Sequence, residues 1–314
     1  MSSRKVRPIG STLRLWCTLF LFLLLLGVAA VPAQDVKTPD TPPIDLVRQA
    51  VAQEVSAANR PEDKYMFRSR KKTPKGSQTH LYAETNDALV GMLIAVNDQP
   101  ISPEQRQQEM GHLGWLMSNP EQLRKKHARE KEDTDRSLRI LKALPDAFQF
   151  EYAGIENGDS DFGKIGDELV RLKFTPNPRF NPPSRIEQVL EGMQGYLVID
   201  ATQRRLARID GTLFRDVSFG WGLVGRLDKG GHFLVQQADV GEGCWEMTSM
   251  SLKITGKILM FKSISMISDE IFSDFQRVPD DLTFAKGVEL LKTQQEKLAH
   301  NHPPELPEAK KAPQ

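Results

Sequence analysis

From Gly195 to Arg277 the chain alternates apolar and polar side chains in short runs separated by turn residues, with no helical period among them. A period of two sends successive side chains to opposite faces of a pleated strand, so runs of this kind demand a sheet with at least one dry face. Val217, Phe219 and Trp221 share one face of an expected strand, against Asp216, Ser218 and Gly220 on the other. Further on, Ile258, Met260, Ile264 and Met266 share a face, and Leu259, Phe261 and Ile267 share the opposite one. The expectation is one uninterrupted antiparallel meander. Its turns are Asp200-Ala201-Thr202-Gln203, Asp228-Lys229-Gly230-Gly231, Val240-Gly241-Glu242-Gly243 and Thr255-Gly256. A large curved sheet suggests a binding surface rather than a reaction centre.

The N-terminus reads as an export signal. Arg4, Lys5, Arg7 and Arg14 precede the apolar stretch from Leu15 to Ala30, and small residues follow in Val31-Pro32-Ala33. That pattern predicts a signal peptide over residues 1–33, cleaved near Ala33 and set aside from fold reasoning. The stretch is short of the ~20 residues that span a bilayer. Cys17 lacks the small residues that precede the cysteine of a bacterial lipoprotein signal. Processing would leave about 280 residues and one cysteine, Cys244, which excludes an intrachain disulfide. The product is expected in the periplasm or secreted, with no transmembrane segment after cleavage. A formal net charge of +1 supplies no overall field for steering towards nucleic acid or an anionic membrane, and no nucleic-acid partner is expected.

Residues 34–43 form a polar, proline-bearing linker, and residues 44–299 are expected to make a single domain. Ile44, Val47, Val51 and Val55 recur at helical spacing and give one apolar stripe, ended by Asn59-Arg60-Pro61. Hairpin strands follow over residues 65–72, 80–85 and 90–96. A helical insertion occupies residues 102–144. Ser102-Pro103-Glu104-Gln105 has the capping residue, the proline and the glutamine that open a helix, and Asn119-Pro120-Glu121-Gln122 repeats the device. The second helix carries the i, i+4 pairs Glu121/Lys125, Glu132/Arg136 and Asp135/Arg139 and almost no apolar stripe in its middle, so it should project or lie on the surface. Strands resume over 148–155 and 168–174, and a short helix over 186–193 precedes the meander. Asp281 is the expected cap of a last helix bearing Phe284, Val288 and Leu291, with Gly287 costing ~1 kcal/mol. Residues 300–314 read as a disordered tail.

Catalytic and metal motifs are weak. Gly220-Trp221-Gly222-Leu223-Val224-Gly225 fits a dinucleotide fingerprint only if a helix starts there, and the residues that follow read as a turn and a strand. Asn157, Asp159, Asp161 and Glu168 fall at calcium-loop positions, but Phe162 stands where that loop needs glycine, so an acidic hairpin loop is the reading. The six histidines show no ligand spacing, and His232 reads as a turn residue. Cys244 reads as a small buried hydrophobe. No catalytic residue, metal or cofactor is predicted. Arg204, Arg205, Arg208 and Arg215 read as a solvated convex face. Met247, Met250, Met260 and Met266, with Trp221 and Phe261, make either a core or an adaptable apolar pocket.

The layout resembles the LolA/LolB-like fold, shared with RseB-type envelope sensors and with outer-membrane lipoprotein-sorting-like proteins. The residues behind the resemblance are Leu144-Pro145-Asp146-Ala147-Phe148, Phe174-Thr175-Pro176-Asn177-Pro178, Gly195-Tyr196-Leu197-Val198-Ile199-Asp200, Arg205-Leu206-Ala207-Arg208-Ile209-Asp210-Gly211 and Val217-Ser218-Phe219-Gly220-Trp221-Gly222-Leu223. It covers roughly Ile44 to Phe275. It implies an α+β fold, a large curved antiparallel sheet forming an unclosed half-barrel covered by helices. It also implies a non-enzymatic envelope protein whose concave groove takes a lipid, a lipoprotein acyl chain or another apolar ligand. The lining expected by strand parity is Val217, Phe219, Trp221, Met247, Met260 and Phe261. The alternatives are an RseB-like sensor that binds another envelope protein, and a hydrolase with a dispersed site.

Overall fold

The strands are β1 (Lys64–Thr73), β2 (Gly76–Ala83), β3 (Val90–Val96), β4 (Gln99–Pro100), β5 (Phe148–Asn157), β6 (Glu168–Pro176), β7 (Met193–Asp200), β8 (Arg205–Leu213), β9 (Val217–Phe219), β10 (Gly225–Leu227), β11 (His232–Gly241), β12 (Cys244–Ile258) and β13 (Lys262–Val278). The helices are α1 (Pro43–Ala57), α2 (Pro103–Ser118), α3 (Pro120–Ala147) and α4 (Phe284–Asn301), with a 3-10 turn at Glu187–Gly192. This computed structural model describes residues 41–58, 63–220, 224–241, 243–259 and 262–301. The expected signal peptide, most of the linker and the tail beyond residue 301 lie outside them. The described residues form one compact unit.

All thirteen strands join one antiparallel sheet, ordered β4-β3-β2-β1-β13-β12-β11-β8-β7-β6-β5, with β9 and β10 attached beside β12. Its end strands β4 and β5 do not pair, so the sheet is open. The fold is α+β. The meander expected over Gly195–Arg277 is interrupted: β8 pairs directly with β11, and β9-β10 form a side hairpin that pairs with the end of β12. The run around Ile258 is not one continuous strand either. Ile258 faces Lys262 across the β12-β13 turn, and Leu259 within that turn has φ +50°. The turns at residues 200–203 and 228–231 form where the sequence put them, but Thr255 and Gly256 lie inside β12, paired with Ser265 and Ile264, and the chain turns only after Ile258. At residues 200–203 the Asp200 Oδ1 accepts from the amides of Thr202 at 2.9 Å and Gln203 at 2.8 Å.

Two main cores lie on this sheet. The larger packs the buried stripe of α1 (Leu46, Val47, Ala50, Val51) and the end of α3 (Leu144, Ala147) against Leu172, Phe174, Leu197, Ile199 and Leu206. The other packs α2 (Leu113, Leu116) and α4 (Phe284, Val288, Leu291) against Met66, Leu81, Val90 and Met92. A small third cluster holds Phe162, Leu169, Val198, Ala207 and Trp245. Leu169 and Val198 alternate with first-core residues on β6 and β7, so this cluster occupies the opposite face.

Helix ends follow the sequence in part. Ser102 and Gln105 form the reciprocal capping box, with amide-to-side-chain bonds of 2.9 and 3.2 Å. Asn119 does not repeat it; its side-chain amide instead donates to the Trp115 carbonyl at 2.7 Å and closes the helix before. Asp281 does not cap α4. The Phe284 amide donates to Asp87 on the β2-β3 loop at 2.8 Å, a long-range cap invisible to local sequence. The α3 helix lies on the surface and bridges both cores, with Leu123 against one and Leu144 in the other. Midway, Glu130 accepts from the Leu89 amide at 3.1 Å. Asp135 pairs with Lys131, at 3.0 Å, rather than with Arg139.

The basic run on β8 is not uniformly a solvated face. Arg205 makes a two-pronged ion pair with Glu54 of α1, at 2.8 and 3.1 Å, and Glu54 also accepts from the Leu206 amide at 2.9 Å. The Glu54 side chain is only 9% exposed and that of Arg205 12%. Arg208 pairs with Glu156 at 2.9 Å and lies over the Phe162 ring. A carboxylate buried on the apolar side of α1 requires such a partner.

Candidate functional site

The first core is incompletely filled. Between α3 and the strands β7, β8, β11 and β12 lies a cavity of about 690 Å³. Leu138, Ile140, Leu141 and Leu144 form its α3 wall, and Val189 and Leu190 close one end. The sheet contributes Leu197, Ile209, Leu213, Phe233, Val235, Met250, Leu252 and Ile254. Polar groups on α3 are confined to Asp133, Thr134 and Ser137, one to two turns before the apolar wall. That helix carries polar residues past one end of the cavity and apolar residues over the rest.

Two local features shape the floor. Gly211 has no side chain where the Phe233 ring lies; a Cβ there would sit 2.1 Å from a ring carbon. The glycine lets the phenyl ring settle flat on the sheet, which leaves space above it. On β12 the register slips: Gln236 faces Ser249, but the next residue, Gln237, faces Met247. The extra residue, Thr248, is a bulge that shifts side-chain parity and brings Met247 to the same face as Met250 and Leu252.

Of the expected lining, Met247 stands on the cavity wall, 36% exposed. Val217 does not. It is buried in the first core beneath the 3-10 turn, so close to Gly192 that a Cβ on that glycine would lie 2.3 Å from its methyl. Phe219 packs half-buried at the edge of the same core. Both leave the wall because β9 departs from the main sheet. Trp221, Met260 and Phe261 lie outside the described residues. Sequence parity missed Leu252 and Ile254, whose own alternation was visible, and the α3 wall, whose spacing of Leu138, Leu141 and Leu144 signals a short apolar stripe.

Among the remaining reactive side chains, His232 borders the cavity and meets Asp210 at 2.9 Å, but both are partly exposed and their strand positions alternate with Ile209 and Phe233. The Cys244 thiol approaches Asp63 at 3.5 Å. A hydrogen bond from Tyr65 favours its thiolate, but burial and the Asp63 carboxylate outweigh this and push its pKa above the ordinary value, against a nucleophilic role. Among the described residues no group of three or more His, Cys, Asp and Glu is placed to hold a metal ion. In the acidic loop, Asp159 Oδ1 is occupied by the amides of Asp161 and Phe162. Gly225 opens a strand, not a helix, so the geometry lacks the helix N-terminus that a dinucleotide needs.

A second cleft, of about 840 Å³, lies on the other flank of α3, lined by Arg48, Arg139, Lys142 and Arg179 as well as Phe150 and Phe180. Its mixed lining suits water. Of these two, the cavity beneath α3 has the nearly continuous apolar walls.

Comparison with known proteins is sparse. No family profile matches the chain, and no curated protein matches it. Among solved structures it is similar to an outer membrane lipoprotein-sorting protein domain from Vibrio parahaemolyticus, at 10% identity over 79% of this chain and 97% of that one, with a TM-score of 0.31. It is also similar to a DUF1329 family protein from Desulfovibrio piger ATCC 29098, at 12% identity over 80% of this chain and 100% of that one, with a TM-score of 0.26.

Proposed function

We propose that this protein is a non-enzymatic component of the cell envelope that holds a lipid, a lipoprotein acyl chain or another apolar ligand in the cavity beneath α3. The observation that carries the reading is an unfilled, apolar-lined groove of about 690 Å³ between α3 and the sheet, partly open to solvent. Interiors are normally packed as densely as organic crystals, and ligand sites fall between about 300 and 1,000 Å³. Burial in such a space stabilises an acyl chain by about 0.8 kcal/mol per methylene without any polar contact. Met247, Met250, Leu252, Phe233, Leu138 and Leu141 are the proposed contacts. The two thioethers let the wall refit around chains of different shape.

The reading also takes residues 1–33 as an export signal, which places the processed protein in the periplasm or outside the cell. No helix among the described residues is long and apolar enough to cross a membrane. The test is native mass spectrometry of protein purified from an envelope extract, then organic extraction and titration with a long-chain fatty acid. The expected result is a stoichiometric lipid and saturable fatty-acid binding. Leu252→Trp, which places an indole in the cavity, should abolish that binding while the protein stays folded. Undiminished binding by this variant would remove the cavity from the site.

A further inference from the structure

The overall charge is close to neutral, but it is unevenly spread. From Lys253 to Ile267 the sequence holds three lysines and no aspartate or glutamate. This stretch spans the end of the β12-β13 hairpin, and it gathers several exposed apolar side chains close together in the chain. Leu259 is 58% exposed, Met266 45% and Ile258 40%, with Ile267 and Val224 beside them. Surface apolar residues scattered singly need no explanation, whereas a contiguous group marks a contact surface.

The register shows how the group is arranged. Ile254 faces Met266, Gly256 faces Ile264 and Ile258 faces Lys262. Ile254 lines the cavity, so Ile258, Ile264 and Met266 continue the cavity's face outward along the hairpin, over roughly 13 Å from Ile254 to Ile258. On the other face Lys253 and Lys257 alternate with these residues. Among the described residues none of Lys253, Lys257 and Lys262 is tied in an ion pair. Beside Lys257, the partner of Arg226, Asp216 and Asp228 are engaged by that arginine at 3.6 and 3.1 Å, and near Lys253 the Asp269 carboxylate accepts from Ser251 at 2.6 Å. The turn itself is strained: Leu259 adopts φ +50°, a region leucine avoids, and its amide donates to the Val224 carbonyl at 3.2 Å. A bulky apolar residue so exposed and held in a left-handed backbone conformation is a poor choice for solubility and for backbone geometry alike.

We propose that the β12-β13 hairpin tip docks this protein on an anionic lipid surface. Ile258 and Leu259 enter the acyl boundary, and Lys253, Lys257 and Lys262 meet the headgroup phosphates. Lysine suits that level because its long stem lies along apolar surface while its ammonium reaches the charged layer. The docking does not depend on the cavity. Where the carrier reading holds as well, the apolar strip from Ile254 to Ile258 is the track by which an acyl chain passes between bilayer and cavity.

The experiment is vesicle flotation of the processed chain, residues 34–314, with vesicles of phosphatidylglycerol and phosphatidylcholine or of phosphatidylcholine alone. The protein should float with the anionic vesicles at low salt and less at high salt. Leu259→Asn should weaken binding about tenfold or more, the effect of withdrawing one buried leucine side chain. Asparagine tolerates the left-handed backbone better than leucine, so misfolding does not account for the loss. Lys257→Glu with Lys262→Glu should abolish flotation. Failure of the unaltered protein to float, or equal flotation of these variants, overturns the proposal. So does preference for a crosslinked protein partner at the tip in place of vesicles. Leu252→Trp separates the two readings. Flotation retained with fatty-acid binding lost supports docking at the tip, while loss of both shows that lipid reaches the protein through the cavity and overturns it.

Discussion

The two halves of this sheet are covered by helices in opposite ways. Over β1–β3 the cover is tight: α4 approaches so closely that a Cβ on Gly287 would lie 2.9 Å from side-chain carbons of both Thr85 and Val90. Over β7–β12 the cover stands off, and α3 leaves about 690 Å³ beneath it. Both halves contain the same kinds of residues, so composition does not explain the difference. The tight half brings a glycine to its contact point and a capping carboxylate, Asp87, from the strand layer to the helix. In the open half α3 is fixed at its ends. Leu123 and Glu130 hold it to one core, and Leu144 and Ala147 hold it to the other. Between these anchors Ile140, Leu141 and Ala143 are only partly buried against the first core, and the space beneath them is unfilled. A cavity here is a product of how the helix is suspended.

The largest expected effect concerns the pair that anchors α1 over the open half. Glu54→Ala leaves Arg205 charged and without its partner in a nearly buried position, and should cost about 3–5 kcal/mol in urea unfolding. Replacing both residues by apolar ones of similar volume should recover most of that loss. If Glu54→Ala is neutral, α1 is held by its apolar stripe alone.

Smaller effects sharpen the contrast between the halves. Gly287→Ala gains about 1 kcal/mol of helix propensity but forces a methyl into Val90 and Thr85, where overpacking costs about 1–3 kcal/mol. The expected result is a net loss of up to about 2 kcal/mol. Leu252→Trp adds far more volume on the open side and should change stability by less than about 1 kcal/mol, because the space already exists. Equal penalties at both sites would mean that the cavity closes in solution.

The smallest effect is a pH slope within the tight half. His80, on β2 and stacked on Tyr82, has its pKa lowered by burial, so its neutral form is favoured in the folded state. The unfolded chain then binds a proton near the ordinary histidine pKa that the folded chain refuses. Stability is complete above that value and falls as pH drops through it towards the lowered one. His80→Asn should flatten the slope of chemical stability between about pH 7 and pH 5. An unchanged slope would assign it to another group.

Much of this architecture was legible because it rests on short-range rules. Alternation along residues 193–213 predicts strands, and Ser102 with Gln105 predicts the start of α2, since both signals are local consequences of backbone geometry. The candidate site was less legible. Met247 reaches the cavity wall through a bulge at Thr248, and a single inserted residue reverses the face of every neighbour. Val217 alternates as expected yet lies under the 3-10 turn, because the short hairpin β9-β10 leaves the main path of the sheet. Arg205 reads as one more surface base until Glu54 arrives from a helix some 150 residues earlier in the chain.

By itself the sequence determined antiparallel strands, the helices and the order in which they occur, because periodicity, caps and turns act over a few residues; an open sheet under a helical cover was what the resemblance implied. Strand order beyond β8, the height of α3 above the sheet and the resulting cavity were decided only in the tertiary structure. Those depend on which distant surfaces meet and how closely, a property of packing that no local pattern encodes.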